Sequence, residues 1–182
     1  MKNVFLFLAD GFEEIEAIAT LDVLLRGNIN AITVSITGNT LVSGAHGITI
    51  DAATLFEDAD FSGGDMLILP GGMPGASNLN SHKELKELIL TYADEGKFIA
   101  AICAAPLVLG GLGLMRGKRA TVYPGYEYTL EGAEYQDTGV VRDCNIITGK
   151  GPGFALEFGL ALVEALEGKH EADAVARGLL KQ

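Results

Sequence analysis

Two cysteines, three histidines and a cluster of acids near the N-terminus are the side chains best able to do chemistry in this 182-residue chain. Cys103 stands out by its setting. It ends the apolar run Phe98-Ile99-Ala100-Ala101-Ile102 and is followed by Ala104-Ala105-Pro106 and then Leu107-Val108-Leu109. The run reads as a strand covered on both faces. Pro106 marks a helix start, because a first-turn proline has its φ preset and loses no needed hydrogen bond. A cysteine on such a strand-to-helix elbow is pushed out of the sheet, facing backbone N–H groups and a helix dipole. That setting favours the thiolate, and with it nucleophilic or redox chemistry. A free cysteine is also often no more than a small buried apolar residue, and local context leaves both readings open.

A second group lies beyond the first apolar run, Asn3 to Leu8, and the turn Asp10-Gly11. Glu13 and Glu14 suit the positive end of a helix. Glu16 differs, because Ile15, Ala17 and Ile18 flank it and place it to point inward. Desolvation raises the pKa of a buried carboxyl, which can then stay protonated. A neutral acid donates a hydrogen bond to a thiolate, whereas a carboxylate repels it. A third apolar run, Met66 to Leu69, ends at Pro70-Gly71-Gly72. Glycine lets the backbone approach a substrate, and the Gly72 N–H can form half of an oxyanion hole. The Ala104 N–H, directly after the nucleophile, is the natural other half.

Among the histidines, His82 and His170 lie in polar helical contexts and are expected at the surface, while His46 falls in a short strand or loop. No Cys-x-x-Cys or His-x-x-x-His spacing occurs, so no metal site is expected. The glycine-rich stretches fail as cofactor loops. Gly149-Lys150 is followed by Gly151 where a phosphate loop needs Ser or Thr, and Gly151-Pro152-Gly153 has Leu156 in place of the third dinucleotide glycine. Tyr123-Pro124-Gly125-Tyr126 reads by itself as ordinary aromatic packing.

The elements that must position these residues alternate. Asn3 to Leu8 and Asn30 to Ile36 flank a helix with Ile15, Ile18, Leu21 and Leu25 at helical spacing, forming a right-handed β-α-β unit. Gly38 to Ile50 reads as a turn and short hairpin, and Phe56 to Asp65 as a loop with a helical turn. A helix is expected over Lys83 to Asp94, with Leu85, Leu88, Ile89 and Tyr92 in register. Thr121 to Gly139 has no regular pattern. Val140-Val141 and Asn145 to Thr148 form a hairpin around Asp143. Gly151-Pro152-Gly153 opens a long helix with Leu156, Leu160, Val163 and Leu166 on one face, and Glu171 to Leu180 closes the chain as a shorter one. This alternation gives one α/β domain over 1–182, an open parallel sheet with helices on both faces. Ligands bind outside the carboxyl ends of such strands, which brings together the turns after Leu8, Leu69 and Ile102.

Composition narrows the function classes. Apolar residues at 48% and charged residues at 20% describe a globular chain. Thirteen basic against twenty-four acidic residues, a net charge of −11, exclude nucleic acid or an anionic membrane as natural partners. Phe98 to Met115 runs without a charge, but Pro106 and Gly110-Gly111 divide it into strand and helix rather than a membrane span. Two cysteines in unlike contexts suggest a reduced, cytoplasmic setting.

Taken together, these residues resemble the ThiJ/PfpI superfamily in its small single-domain branch, that of the parkinsonism-linked protein deglycase and its bacterial relatives. The resemblance covers essentially the whole chain. Four blocks carry it: Leu8 to Glu16, Leu69-Pro70-Gly71-Gly72, Ala100 to Pro106, and Gly151-Pro152-Gly153 with Glu157-Phe158. It implies a flavodoxin-like three-layer sandwich and a homodimer packed through the first helix. It also makes Glu16 a protonated acid beside the elbow nucleophile Cys103, and places Gly72 and Ala104 in the oxyanion hole. Asp22 would lie near a partner's active site, and Tyr123, His46 and Gly151 to Gly153 near the pocket. The implied activity is cofactor-free glyoxalase or deglycase chemistry on reactive 2-oxoaldehydes or glycated protein, with a role in oxidative stress. Alternatives are a redox sensor or holdase chaperone acting through Cys103 oxidation and, less so, an intracellular protease or a thiamine-linked protein. One departure matters: many members carry a histidine where this chain has Tyr123 before Pro124. A phenol with pKa near 10 is a poor general base at pH 7, which argues against a Cys-His dyad and proteolysis. His46 stands where several relatives have arginine.

Overall fold

The computed structural model describes residues 1–181. Its strands are Asn3–Leu8 (β1), Asn30–Ser35 (β2), Leu41–Ser43 (β3), Thr49–Asp51 (β4), Thr54–Leu55 (β5) and Met66–Leu69 (β6). Phe98–Ile102 (β7), Arg119–Ala120 (β8), Glu134–Tyr135 (β9), Val140–Asp143 (β10) and Ile146–Gly149 (β11) follow. The helices are Glu14–Arg26 (α1), Gly75–Ser81 (α2), Lys83–Asp94 (α3), Pro106–Gly111 (α4), Ala155–Glu167 (α5) and Lys169–Gly178 (α6).

Seven strands form the main sheet in the order β10-β11-β7-β6-β1-β2-β5, parallel throughout except for β10, the edge strand of the expected hairpin. Each central strand is apolar on both faces because both are covered. Val4, Leu6 and Leu8 of β1 join one core with Val23 and Leu24 of α1 and Phe158 and Leu162 of α5. Phe5 and Phe7 point the other way, into a core with Leu79, Leu85, Ile89 and Leu109 of α2, α3 and α4. The result is the α/β sheet with helices on both faces that the strand and helix alternation predicts, in the flavodoxin-like sandwich that the resemblance implies. No helix among the described residues is long and apolar enough to cross a membrane, and the uncharged stretch after Phe98 divides at Cys103 into β7 and α4.

Several local expectations need correction. The stripe Ile15, Ile18 and Leu25 on α1 faces outward, at 58%, 41% and 53% exposure, while Ala17, Thr20, Val23 and Leu24 are buried. This helix is apolar on two sides, so spacing alone could not say which side meets the sheet. On α5, Leu156 is exposed, and Phe158, Gly159, Leu162 and Val163 form the buried face. Small size decides this: a Cβ on Gly159 would stand 2.8 Å from Val23 Cβ, so glycine lets α5 press against α1. Helix α2 and strand β5 were not evident from the sequence. In the unpatterned region, β8 and β9 form a separate two-stranded ladder.

Candidate active site

The chain leaves β1 toward β2 on one side and later returns to β6 on the other, so β1 and β6 flank the point where strand order reverses. Glu16 comes from the first turn of α1, which follows β1; Gly71 and Gly72 come from the turn after β6, and Cys103 from the turn after β7. Glu13 caps α1, accepting the Glu16 N–H at 2.8 Å. This bond places Glu16 at the third helical position, fully buried and aimed across the β6 turn.

Glu16 Oε2 accepts the Gly71 N–H at 2.8 Å. Its other oxygen, Oε1, is buried without a hydrogen-bond partner among the described residues, and the Cys103 thiol lies against the same carboxyl. Packing here leaves no slack. A Cβ on Gly71 would lie 2.6 Å from Cys103 Cβ and 2.7 Å from Glu16 Oε2.

Cys103 adopts φ +63, a left-handed conformation rare for a residue with a side chain. Two backbone bonds impose it: its N–H donates to Gly149 O at 2.9 Å, and its carbonyl accepts the Tyr123 N–H at 2.9 Å. Strand β11 and the Tyr123 loop thus hold the elbow from both sides. The thiol is 8% exposed and faces the N–H groups of Gly72 and Ala104.

Burial pushes the Glu16 carboxyl up to about 7, against the hydrogen bonds it receives from Cys103 and Gly71. Burial, and then the Glu16 charge, push the Cys103 thiol up to about 12, against the Gly72 and Ala104 N–H groups. A thiol lowered by a helix N-terminus is therefore not what the geometry gives while Glu16 is ionised. Helix α4 has six residues, and its dipole is too short to outweigh desolvation. The pair nonetheless has a second way to hold one proton. With the proton on Glu16, repulsion becomes a hydrogen bond to sulfur, and both backbone N–H groups stay aimed at a thiolate.

Other expected site residues fall around this centre unevenly. Tyr123, Pro124, Lys150, Gly151, Pro152, Gly153 and Phe154 line a depression of about 290 Å³, joined to the elbow through the Tyr123 N–H. His46 lies on the β3–β4 turn, its Nδ1 2.8 Å from Glu14 Oε2, while the Glu14 Oε1 accepts the His46 N–H at 2.7 Å. Glu14 is thus buried and engaged, not the solvent-facing dipole partner that its position suggests. No local signal shows this, because the partner lies 32 residues away. Asp22 sits on the exposed side of α1, where Arg26 Nε meets its carboxylate at 2.7 Å. His170 is exposed as expected, but half-buried His82 caps α3, accepting the Leu85 N–H at 3.1 Å.

The profile of the DJ-1/PfpI family matches residues 2–165. Protein DJ-1 homolog A of Arabidopsis thaliana is 39% identical over 98% of the chain, which spans 46% of that longer protein. The glutathione-independent glyoxalase DJR-1.2 of Caenorhabditis elegans is 36% identical over 92% of the chain and 89% of its own length. The structure of oxidized Toxoplasma gondii DJ-1 superposes with a TM-score of 0.95 at 32% identity, covering 100% of this chain and 99% of that one. With the same sheet and a profile match over most of its length, this chain belongs to the DJ-1/PfpI family.

Proposed function

We propose that the protein is a cysteine-dependent enzyme converting reactive 2-oxoaldehydes, free or as adducts on protein, to 2-hydroxy acids without a cofactor. The observation carrying this reading is the convergence on Cys103 of one buried carboxyl and two backbone N–H donors. Cys103 sulfur adds to the aldehyde carbon, and the new oxyanion receives the Gly72 and Ala104 N–H groups, each worth about 3–4 kcal/mol in comparable sites. Glu16, which holds the thiol's proton, passes it to the new oxygen; as carboxylate it then takes the proton from that carbon and returns it to the neighbouring one, giving a thioester of a hydroxy acid. Water then releases the acid and restores the thiol, so methylglyoxal and water give lactate. The relative named as a glutathione-independent glyoxalase supports this chemistry. Methylglyoxal consumption by purified Cys103→Ala decides it: retention of turnover overturns the reading.

The same two N–H donors suit the oxygens of an oxidised cysteine, which favours redox sensing as a second reading, and a related structure is that of an oxidised protein. The exposed Ile15, Ile18 and Leu25 on α1 support a homodimer packed through this helix. Two free cysteines support a reduced, cytoplasmic setting.

A further inference from the structure

Outside the Cys103 centre, the fold gathers three metal-ligating side chains that the sequence keeps apart. Glu13 and Glu14 come from the start of α1, and His46 from the β3–β4 turn. Their donor atoms lie within 4.8 Å of one another. The base of the turn is docked by backbone bonds, Gly11 N–H to Ser43 O and Ala45 N–H to Phe12 O, each 2.8 Å, while His46 at its tip stays exposed.

The cluster is more than an ion pair. Glu14 Oε2 meets His46 Nδ1 at 2.8 Å, but Glu13 adds a second carboxylate on the same nitrogen. Glu13 Oε2 is used by the Glu16 N–H, whereas Oε1 has no hydrogen bond among the described residues and stands 3.9 Å from His46 Nδ1. That side chain is nine-tenths buried, and its Oε1 faces the His46 ring as the cluster's second carboxylate. Two buried carboxylates and one imidazole make a donor set for a divalent cation.

We propose that Glu13, Glu14 and His46 bind one divalent transition-metal ion of the zinc class where the start of α1 meets the β3–β4 turn. Such ions take carboxylate oxygen and imidazole nitrogen at about 2.0–2.2 Å. A tetrahedral site then sets donors roughly 3.3 Å apart, so the widest separation here contracts by about 1.5 Å. The exposed His46 turn supplies this movement. His46 coordinates through Nδ1, with its ring proton on Nε2, and water fills the remaining position. The ion would clamp the hairpin to the first residue of α1. Glu13 in turn donates its N–H to Gly71 O at 2.9 Å, so the clamp reaches the β6 turn without entering the reaction.

The test uses metal-stripped Cys103→Ser/Cys144→Ser protein, which removes thiol ligands, titrated with Co²⁺ by visible absorption and with Zn²⁺ against a chromophoric chelator. The expected result is one equivalent bound, weakened at least tenfold by H46R and by E14Q and unchanged by H170A. One equivalent of Zn²⁺ should also raise Tm only where His46 is present. Failure to bind Co²⁺ or Zn²⁺ at millimolar concentration overturns the proposal, as does binding indifferent to H46R. E14Q keeps an oxygen for the His46 N–H, so it reports on the site even if H46R disturbs the turn.

Discussion

Glu16 and Gly71 are joined by a 2.8 Å hydrogen bond that uses one carboxylate oxygen and leaves the other buried without a partner among the described residues. This bond anchors the carboxyl to the β6 turn, against which Cys103 also packs. It ties acid, oxyanion turn and nucleophile into one unit, so damage to any member should be felt by the others.

Glu16→Gln preserves shape but cannot carry the proton between carbons. Its kcat/KM for methylglyoxal should fall about 10²- to 10⁴-fold, the usual scale of general acid–base catalysis. Steady-state kinetics on folded variant protein check this.

The raised carboxyl also predicts a stability profile. Glu16 holds its proton more tightly when folded, moving from the ordinary 4.5 to about 7. Its stabilising contribution is therefore complete below pH 4.5 and lost as pH rises through about 7. The loss is about 3 kcal/mol at most, and urea unfolding between pH 4 and 8 should show it. Glu16→Gln should flatten that slope, and an unchanged slope would refute the assignment.

Gly71→Ala should be worse for chemistry than for folding. The added methyl meets Cys103 Cβ at 2.6 Å, which forces the elbow to shift. We expect about 1–3 kcal/mol of destabilisation and near-complete loss of activity. Gly72→Ala adds a φ of +88 to its clashes and should fold less well still, as thermal melts would show.

Tyr123 contributes its backbone N–H to the Cys103 carbonyl, and that bond survives loss of the phenol. Tyr123→Phe should keep kcat/KM within about threefold, because a phenol is a poor general base at neutral pH. A hundredfold loss would make the hydroxyl part of the reaction.

The sheet and its centre were legible in the sequence for a physical reason. Strands buried on both faces read as unbroken apolar runs, and the turns and helix start that follow them carry Glu16, Gly72 and Cys103 at one edge. What was not legible depended on neighbours distant in sequence. The face of α1 is chosen by α5, through Gly159 against Val23, not by the helix itself. The burial of Glu14 depends on a turn 32 residues away. The direction of the Cys103 shift depends on how deeply the pocket closes, which local spacing does not encode.

Strand β6 has four residues and carries none of the reacting side chains. It nevertheless lies between β1 and β7, with Ile68 level with Leu6 on one side and Ala100 on the other. The acid and the nucleophile are thus held in register by two backbone ladders as well as by their own contact. A slip of one residue in β6 would carry Gly71 about 3.3 Å along the sheet and turn its flanking side chains to the wrong core. Strand β6 serves as a ruler: volume-conserving exchanges at Leu67 or Leu69 leave its markings in place, while an inserted or deleted residue separates the proton from the sulfur.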